Sequence, residues 1–398
     1  MNFIKKEMKY ASNNYKSIER TIIRGKGIYV YDTYNKAYID CISGYSALNQ
    51  GHCHPSLIKV AKDQIEKLTL TSRAYHNDKL GKYSEVLCKT FNYDKVLLMN
   101  GGVESGESAL KIARKWGYEK KGIRKNDGIN VFFNNNFWGR SIMACSSSDD
   151  KSCFENFGPY INGVKILEYN NLEKLDNYLK NTPNVVSIML EPIQGEGGII
   201  IPDNGYLRKV RALCNKYNVL MIVDEVQTGL GRTGKMLACD YEKVKPDILC
   251  LGKALSGGFY PISATLANEE IMSVLTPGTH GSTFGGNPLA CTIGIEALNI
   301  IEKEDLVNNS KKMGIYFRSI LKNFKHKSMI DVRGKGLLNG IEFESKEYAD
   351  KFTNEMLKNN VLLKSTRDKV IRITPPLTIN RDEINNLLRK IINVTKYL

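Results

Sequence analysis

Two segments of this chain begin as short, continuous runs of Val, Ile, Leu and Met and then break into polar, glycine-rich sequence. They are V-L-M-I-V-D-E-V-Q-T-G-L-G, which carries Asp224 and Gln227, and P-D-I-L-C-L-G-K-A-L-S-G-G, which carries Lys253. Such a run suits a strand buried on both faces of a parallel sheet, where no face is left for alternating polar positions. From about Tyr45 to Ile301 these runs alternate with helical stretches, for example V-V-S-I-M-L-E-P, then G-Y-L-R-K-V-R-A-L-C-N-K-Y, then V-L-M-I-V-D. The alternation predicts an α/β fold whose large domain is a mainly parallel sheet covered by helices. Ahead of it, I-Y-V-Y-D-T-Y-N-K-A-Y-I-D predicts a hairpin around T-Y-N-K. After a helix beginning near Pro288, V-R-G-K-G-L-L-N-G-I-E-F and V-I-R-I-T-P-P-L, separated by helices, predict a smaller α+β unit. The expected division is an N-terminal segment with the hairpin over 1–45, a large domain over 46–303 and a small C-terminal domain over 304–398.

Composition narrows the class. A chain of 398 residues, 42% hydrophobic, can bury a large core. No apolar run approaches the roughly 18 residues of a membrane-spanning helix. Met1 to Tyr10 lacks the apolar core of a signal peptide and is not a Ser- and Arg-rich transit peptide, so the cytosol is the expected compartment. Nine cysteines without any C-x-x-C read as reduced thiols, and Cys250 within I-L-C-L-G as a small core hydrophobe. His52-Cys53-His54 resembles a metal site only superficially, because alternate strand residues face opposite ways and no partner cluster occurs elsewhere; a tight turn is expected, and no metal. The net charge of +15 raises nucleic acid or an anionic membrane as partners. The lysines are dispersed, with no dense basic block interleaved with aromatics, so a solvated basic surface is the expectation, one whose field favours anionic substrates and a phosphate-bearing cofactor.

The chemistry sits where the apolar runs stop. In open α/β sheets ligands bind in the crevice outside the carboxyl ends of the strands, and both Asp224 and Lys253 fall there. An amine and a carboxylate in that crevice are what pyridoxal phosphate requires: a lysine to form a Schiff base and an acid to keep the ring nitrogen protonated. Taken alone, the pair could equally be a structural ion pair. Gly101-Gly102-Val103-Glu104-Ser105-Gly106 precedes A-L-K-I-A-R-K-W, and a glycine-rich turn at a helix N-terminus exposes free backbone N–H groups to a phosphate. An ordinary loop before a helix would look the same.

Longer words decide between these readings. S-G-Y-S-A-L-N-Q-G-H-C-H-P (43–55), L-T-S-R-A-Y (70–75), M-N-G-G-V-E-S-G-E (99–107), N-F-W-G-R (136–140), E-P-I-Q-G-E (191–196), D-E-V-Q-T-G (224–229), L-G-K-A-L-S-G-G (251–258) and H-G-S-T-F-G-G-N-P (280–288) occur in one order over nearly the whole chain. The set resembles the class III, fold-type I aminotransferases, which depend on pyridoxal phosphate. The resemblance implies that Gly102 and Val103 hold the cofactor phosphate, that Phe137 stacks on the ring with Trp138 packed near it, that Asp224 binds the ring N–H and that Gln227 contacts the ring 3-oxygen. It implies that Lys253 carries the cofactor and then acts as general acid and base. Ser282 and Thr283 match residues that reach the phosphate from a neighbouring subunit, which implies a homodimer with shared active sites.

For the substrate, arginines are the informative residues, because they bind carboxylates bidentately and are always charged. By the same resemblance Arg140 binds the α-carboxylate of ornithine and later the side-chain carboxylate of glutamate, and Arg372 grips the α-carboxylate of glutamate and 2-oxoglutarate. Glu196 pairs with Arg372, masking it for ornithine and releasing it for glutamate. Tyr15 helps bind the ornithine head group and Tyr45 narrows the cavity, an arrangement generally lacking where an acetylated amine must enter. The expected reaction transfers the δ-amine of L-ornithine to 2-oxoglutarate and yields glutamate. Acetylornithine is the alternative donor, with 4-aminobutyrate aminotransfer or glutamate-1-semialdehyde isomerisation more distant. From another class, a basic scaffold or nucleic-acid binder would be marked by loss of Lys253, Asp224 or the phosphate turn, and all are intact.

Overall fold

The computed structural model of the chain describes residues 3–324 and 326–398. Strands β1 (Ile22–Lys26), β2 (Tyr29–Asp32) and β3 (Ala37–Asp40) form an antiparallel meander, with the T-Y-N-K turn between β2 and β3. The central sheet contains β4 (Lys95–Met99), β5 (Ile129–Phe133), β6 (Val164–Leu167), β7 (Val185–Leu190), β8 (Leu220–Asp224), β9 (Ile248–Leu251) and β10 (Ser263–Ala267), in the order β4-β10-β9-β8-β7-β5-β6. Strand β10 is antiparallel to both neighbours, and the pairs from β9 through to β6 are parallel. The carboxyl ends of β4, β5, β7, β8 and β9 therefore open on one edge, where the site is built.

The continuous apolar runs have the burial they imply. Every residue of β7, β8 and β9 is buried, including Cys250. At about 1.5–3 kcal/mol per fully buried large aliphatic side chain, these strands form a stiff platform that can hold charged groups at its end. Helices cover both faces. Gly102–Glu119 crosses the sheet with Ala109, Ile112 and Ala113 buried, and Pro288–Lys303 starts where the Asn287 side chain accepts the Ala290 N–H and proline occupies the first turn.

The C-terminal part begins with β11 (Met329–Lys335) and β12 (Leu338–Phe343), continues through β13 (Val361–Leu362) and ends in β14 (Lys364–Thr366) and β15 (Val370–Ile373). Four of these make an antiparallel sheet, β11-β12-β15-β14, while β13 leaves it to pair in parallel with β3, so the chain's two ends share one sheet. Arg232 locks the units together. It is fully buried and donates to the carbonyls of Leu337 and Pro375 and to Asn49 Oδ1. Among the described residues, no helix is long and apolar enough to cross a membrane.

Candidate active site

Strands β4, β5, β7, β8 and β9 each deliver one piece of the site as they end. After β8, backbone alternation sends neighbouring carboxylates in opposite directions. Asp224 lines a cavity and accepts the Val226 N–H at 2.9 Å, whereas Glu225 turns into the following loop and accepts the Cys239 N–H. After β9, Lys253 opens a short 3-10 turn with φ of 46°, a left-handed conformation that a side-chain-bearing residue holds only where its surroundings impose it. After β7 come Glu191 and Glu196, after β5 the loop with Phe137 and Trp138, and after β4 the Gly101-Gly102 turn. Gly102, Val103, Phe137, Trp138, Glu191, Glu196, Asp224, Gln227 and Lys253 line one cavity of about 160 Å³, together with Gly139 and Val226.

The glycine turn is a phosphate-sized cradle. Glu104 folds back to accept the Asn100 and Gly101 N–H groups, and the Gly101 carbonyl accepts from Glu104 and Ser105. Among the described residues, no acceptor is bonded to the N–H groups of Gly102 and Val103, which lie at the positive end of the helix. A Cβ on Gly102 would stand 2.8 Å from Val226 Cγ1, so only glycine lets this turn sit so close to the sheet.

Charge in the cavity is arranged around Lys253. Burial lowers the Lys253 ammonium below its ordinary value, with Arg372 acting in the same direction. Burial also raises the Asp224 carboxyl to about 6, against its bond from Val226 and the attraction of Lys253. Glu191 is pushed further, to about 8, by burial and by the Asp224 charge. It accepts the Phe137 N–H and the Gly195 N–H, each at 3.0 Å, and so ties the aromatic loop to the Glu196 loop. Burial works to raise the Glu196 carboxyl as well, but the Arg372 guanidinium outweighs it and the net shift is downward. Arg372, only 4% exposed, is hydrogen-bonded to Glu196 Oε1.

The second wall comes from the N-terminal part. Tyr45 lies in a left-handed stretch in which Ser43, Gly44, Tyr45 and Ser46 all have φ between 50° and 70°. Such a run costs about 1–2 kcal/mol for each residue bearing a Cβ. Asp40 holds it by accepting the Ile42 and Ser43 N–H groups, each at 2.9 Å, and Asp40 is in turn bonded to His52 Nε2 at 2.8 Å. His52 and His54 are thus both engaged, His54 capping the helix Pro55–Ile65. The Tyr45 ring faces the Arg372 guanidinium at 5.4 Å. Tyr15 is exposed and reaches the same region through Lys364, whose Nζ lies 6.0 Å from its ring centre. Arg140 stands at the rim, exposed, 5.6 Å from the centre of the Phe137 ring.

Two sequence-predicted residues stand apart from this cavity in their own chain. Ser282 Oγ bonds Asn100 Nδ2 at 3.0 Å, behind the glycine turn, and Thr283 is exposed. Conversely, Glu191 and Lys364 line or approach the site without having been singled out. Glu191 lies within the E-P-I-Q-G-E word, whereas Lys364 carries no local signal.

A lysine and a buried aspartate at neighbouring strand ends, on a sheet of this order, define a fold-type I pyridoxal-phosphate-dependent transferase. The aminotransferase class-III family profile matches residues 10–395, and the chain belongs to that family. It is 50% identical over 392 residues to the mitochondrial ornithine aminotransferase of Rattus norvegicus, covering 98% of this chain and 89% of the relative. The crystal structure of the ornithine aminotransferase from Toxoplasma gondii superposes with a TM-score of 0.98 at 44% identity, covering 100% of this chain and 94% of that one. Acetylornithine aminotransferase from Elizabethkingia anophelis gives a TM-score of 0.91 at 40% identity, covering 100% and 98%.

Class-III aminotransferases use pyridoxal phosphate, and the cavity fits it. The free amides of Gly102 and Val103 suit a phosphate, and Asp224 suits a protonated ring nitrogen. Gln227 Oε1 is a buried acceptor without a hydrogen-bond partner among the described residues, which suits the ring hydroxyl. Gly195 leaves it that room, since a Cβ there would fall 1.4 Å from Gln227 Oε1.

Proposed function

We infer that this enzyme is an ornithine aminotransferase, moving the δ-amino group of L-ornithine to 2-oxoglutarate. The products are glutamate-5-semialdehyde, which cyclises to pyrroline-5-carboxylate, and glutamate. The observation that carries the reading is the bond from Arg372 to Glu196, whose side chain lines the cavity of Lys253. An arginine whose charge is already met by an acid attracts a substrate α-carboxylate far less, so ornithine is free to enter with its δ-amine first. A dicarboxylate competes for the arginine and displaces Glu196.

Gly102 and Val103 would hold the cofactor phosphate, Phe137 and Trp138 would pack against the ring, Gln227 would bind its 3-oxygen and Asp224 its nitrogen. When bound, pyridoxal phosphate supplies an aldehyde that condenses with amines and a protonated ring that accepts the electrons released at the amine-bearing carbon. Lys253 takes the proton from that carbon, and its lowered ammonium makes the neutral amine accessible for the task. Arg140 and Tyr15 bind the α-carboxylate end of ornithine, and Tyr45 narrows the space beside Arg372. The semialdehyde leaves before 2-oxoglutarate enters, so initial-rate kinetics are ping-pong. Acetylornithine is disfavoured as donor by the two tyrosines and Lys364 crowding that end.

Ser282 and Thr283, standing outside their own cavity, support a homodimer in which each chain completes its partner's phosphate site. The cytosol is the proposed compartment, in keeping with nine free thiols.

Glu196→Gln tests the switch. Removing the acid leaves Arg372 free to capture the ornithine α-carboxylate, so single-turnover δ-amino transfer should fall about tenfold or more, within the few kcal/mol that breaking such a pair costs. The glutamate half-reaction, measured separately, should be spared or faster. Equal losses for both donors would reduce Glu196 to structural support.

A further inference from the structure

We propose that Lys364 is a specificity-determining residue that makes the site select substrates by a carboxylate remote from the reacting amine. The proposal rests on the ornithine reading. Strands β14 and β15 are antiparallel with Lys364 directly opposite Arg372, so both cations project from the same face of the sheet. Like charges in directly opposed positions destabilise a sheet, and a fold keeps them only where something else gains. Arg372 is neutralised by Glu196. Lys364 is bonded instead to a neutral group, the Tyr45 hydroxyl, at 2.9 Å, with its Nζ 5.3 Å from the Tyr45 ring centre and 6.0 Å from that of Tyr15. Among the described residues no carboxylate is paired with Lys364, so this wall of the site carries a positive charge without an acid of its own.

The hydrogen bond has a direction. A lysine ammonium has donors and no acceptor, so the Tyr45 oxygen must accept from it. With one lone pair taken by the ammonium, the Tyr45 O–H proton is free to be donated on the other side. An ammonium and a phenol donor side by side recognise an acceptor that is anionic and accepts more than one hydrogen bond. A carboxylate meets both conditions. The same pair repels an ammonium at that place, so a diamine without a carboxylate is rejected as well as unrewarded.

L-Ornithine and 1,4-diaminobutane, the same diamine without the carboxylate, provide the comparison. In Lys364→Met the KM for ornithine should rise about tenfold or more with kcat within about threefold, while the KM for 1,4-diaminobutane stays constant or falls. This is the size expected on losing a charge-assisted hydrogen bond to the substrate. Lys364→Arg, which keeps the charge and the donors, should restore the ornithine KM. Calorimetric binding of glutarate, an unreactive dicarboxylate, should weaken by a similar factor in Lys364→Met and recover in Lys364→Arg. Equal KM changes for the two amines, or glutarate binding unaffected by Lys364→Met, would overturn the proposal. If wild-type enzyme transferred no amine from ornithine, the ornithine reading would fail while the glutarate titration still decided the role of Lys364.

Discussion

Lys253→Ala is expected to abolish amino transfer altogether, because no other amine lines the cavity among the described residues. It should also remove the covalent attachment of cofactor. Borohydride reduction of wild-type holoenzyme, followed by proteolysis and mass spectrometry, should place the pyridoxyl group on the peptide containing Lys253. The same treatment of the variant should leave that peptide unmodified while pyridoxal phosphate remains dialysable. Attachment persisting on another lysine would remove Lys253 from its role. The expectation follows from position, since Lys253 stands two residues past the end of β9, next to the strand that presents Asp224.

The second large effect belongs to Asp224. Asp224→Asn keeps the shape and the acceptor for the Val226 N–H but removes the anion, so turnover should fall by about a thousandfold or more, as when other preorganised electrostatic partners are lost. A pH measurement separates charge from shape. Burial raises the folded carboxyl from 3.8 to about 6. The folded state then binds this proton more tightly than the unfolded state, so the stabilisation is present at low pH and is lost as pH rises through the window from about 4 to about 6. Chemical denaturation of cofactor-free protein should show Asp224→Asn gaining on wild type across that window, with a further gain toward about pH 8, where the Asp224 charge holds the Glu191 carboxyl up in wild type. A difference that is constant with pH, together with near-normal turnover, would show that the charge is idle.

The sheet was legible because strands buried on both faces leave continuous apolar runs, and β7, β8 and β9 fall on the runs V-V-S-I-M-L, L-M-I-V-D and I-L-C-L. Direction was not legible. S-A-T-L-A reads the same either way, and β10 runs antiparallel because its partners are set by the chain's crossover and not by its own residues. Nor could the pairing of β13 with β3 be read, since two residues meeting a strand more than 300 positions away leave no local pattern. The run V-R-G-K-G-L-L-N-G-I-E-F proves to be two strands folded about Gly336, whose φ is 52°.

The site divides the same way. Asp224, the last residue of β8, and Lys253, two positions past β9, announce themselves by where the apolar run stops; Gln227 and Glu196 were reached only through the longer family words, and the structure brings all four to one cavity. Lys364 gives no such sign. It meets Arg372 only through hairpin register, eight positions along the chain. The left-handed stretch at Tyr45 is equally hidden, because Gly44 is the one residue there whose chemistry suggests it and the support comes from Asp40.

The most direct test of the account follows one nitrogen atom. Purified enzyme supplied with pyridoxal phosphate, L-ornithine labelled with nitrogen-15 at the δ position only, and unlabelled 2-oxoglutarate should produce labelled glutamate, read by NMR or mass spectrometry, with pyrroline-5-carboxylate appearing in equal amount. Ornithine labelled only at the α position should yield unlabelled glutamate and labelled pyrroline-5-carboxylate. Label passing to glutamate from the α position, or no transfer from either, would contradict the account.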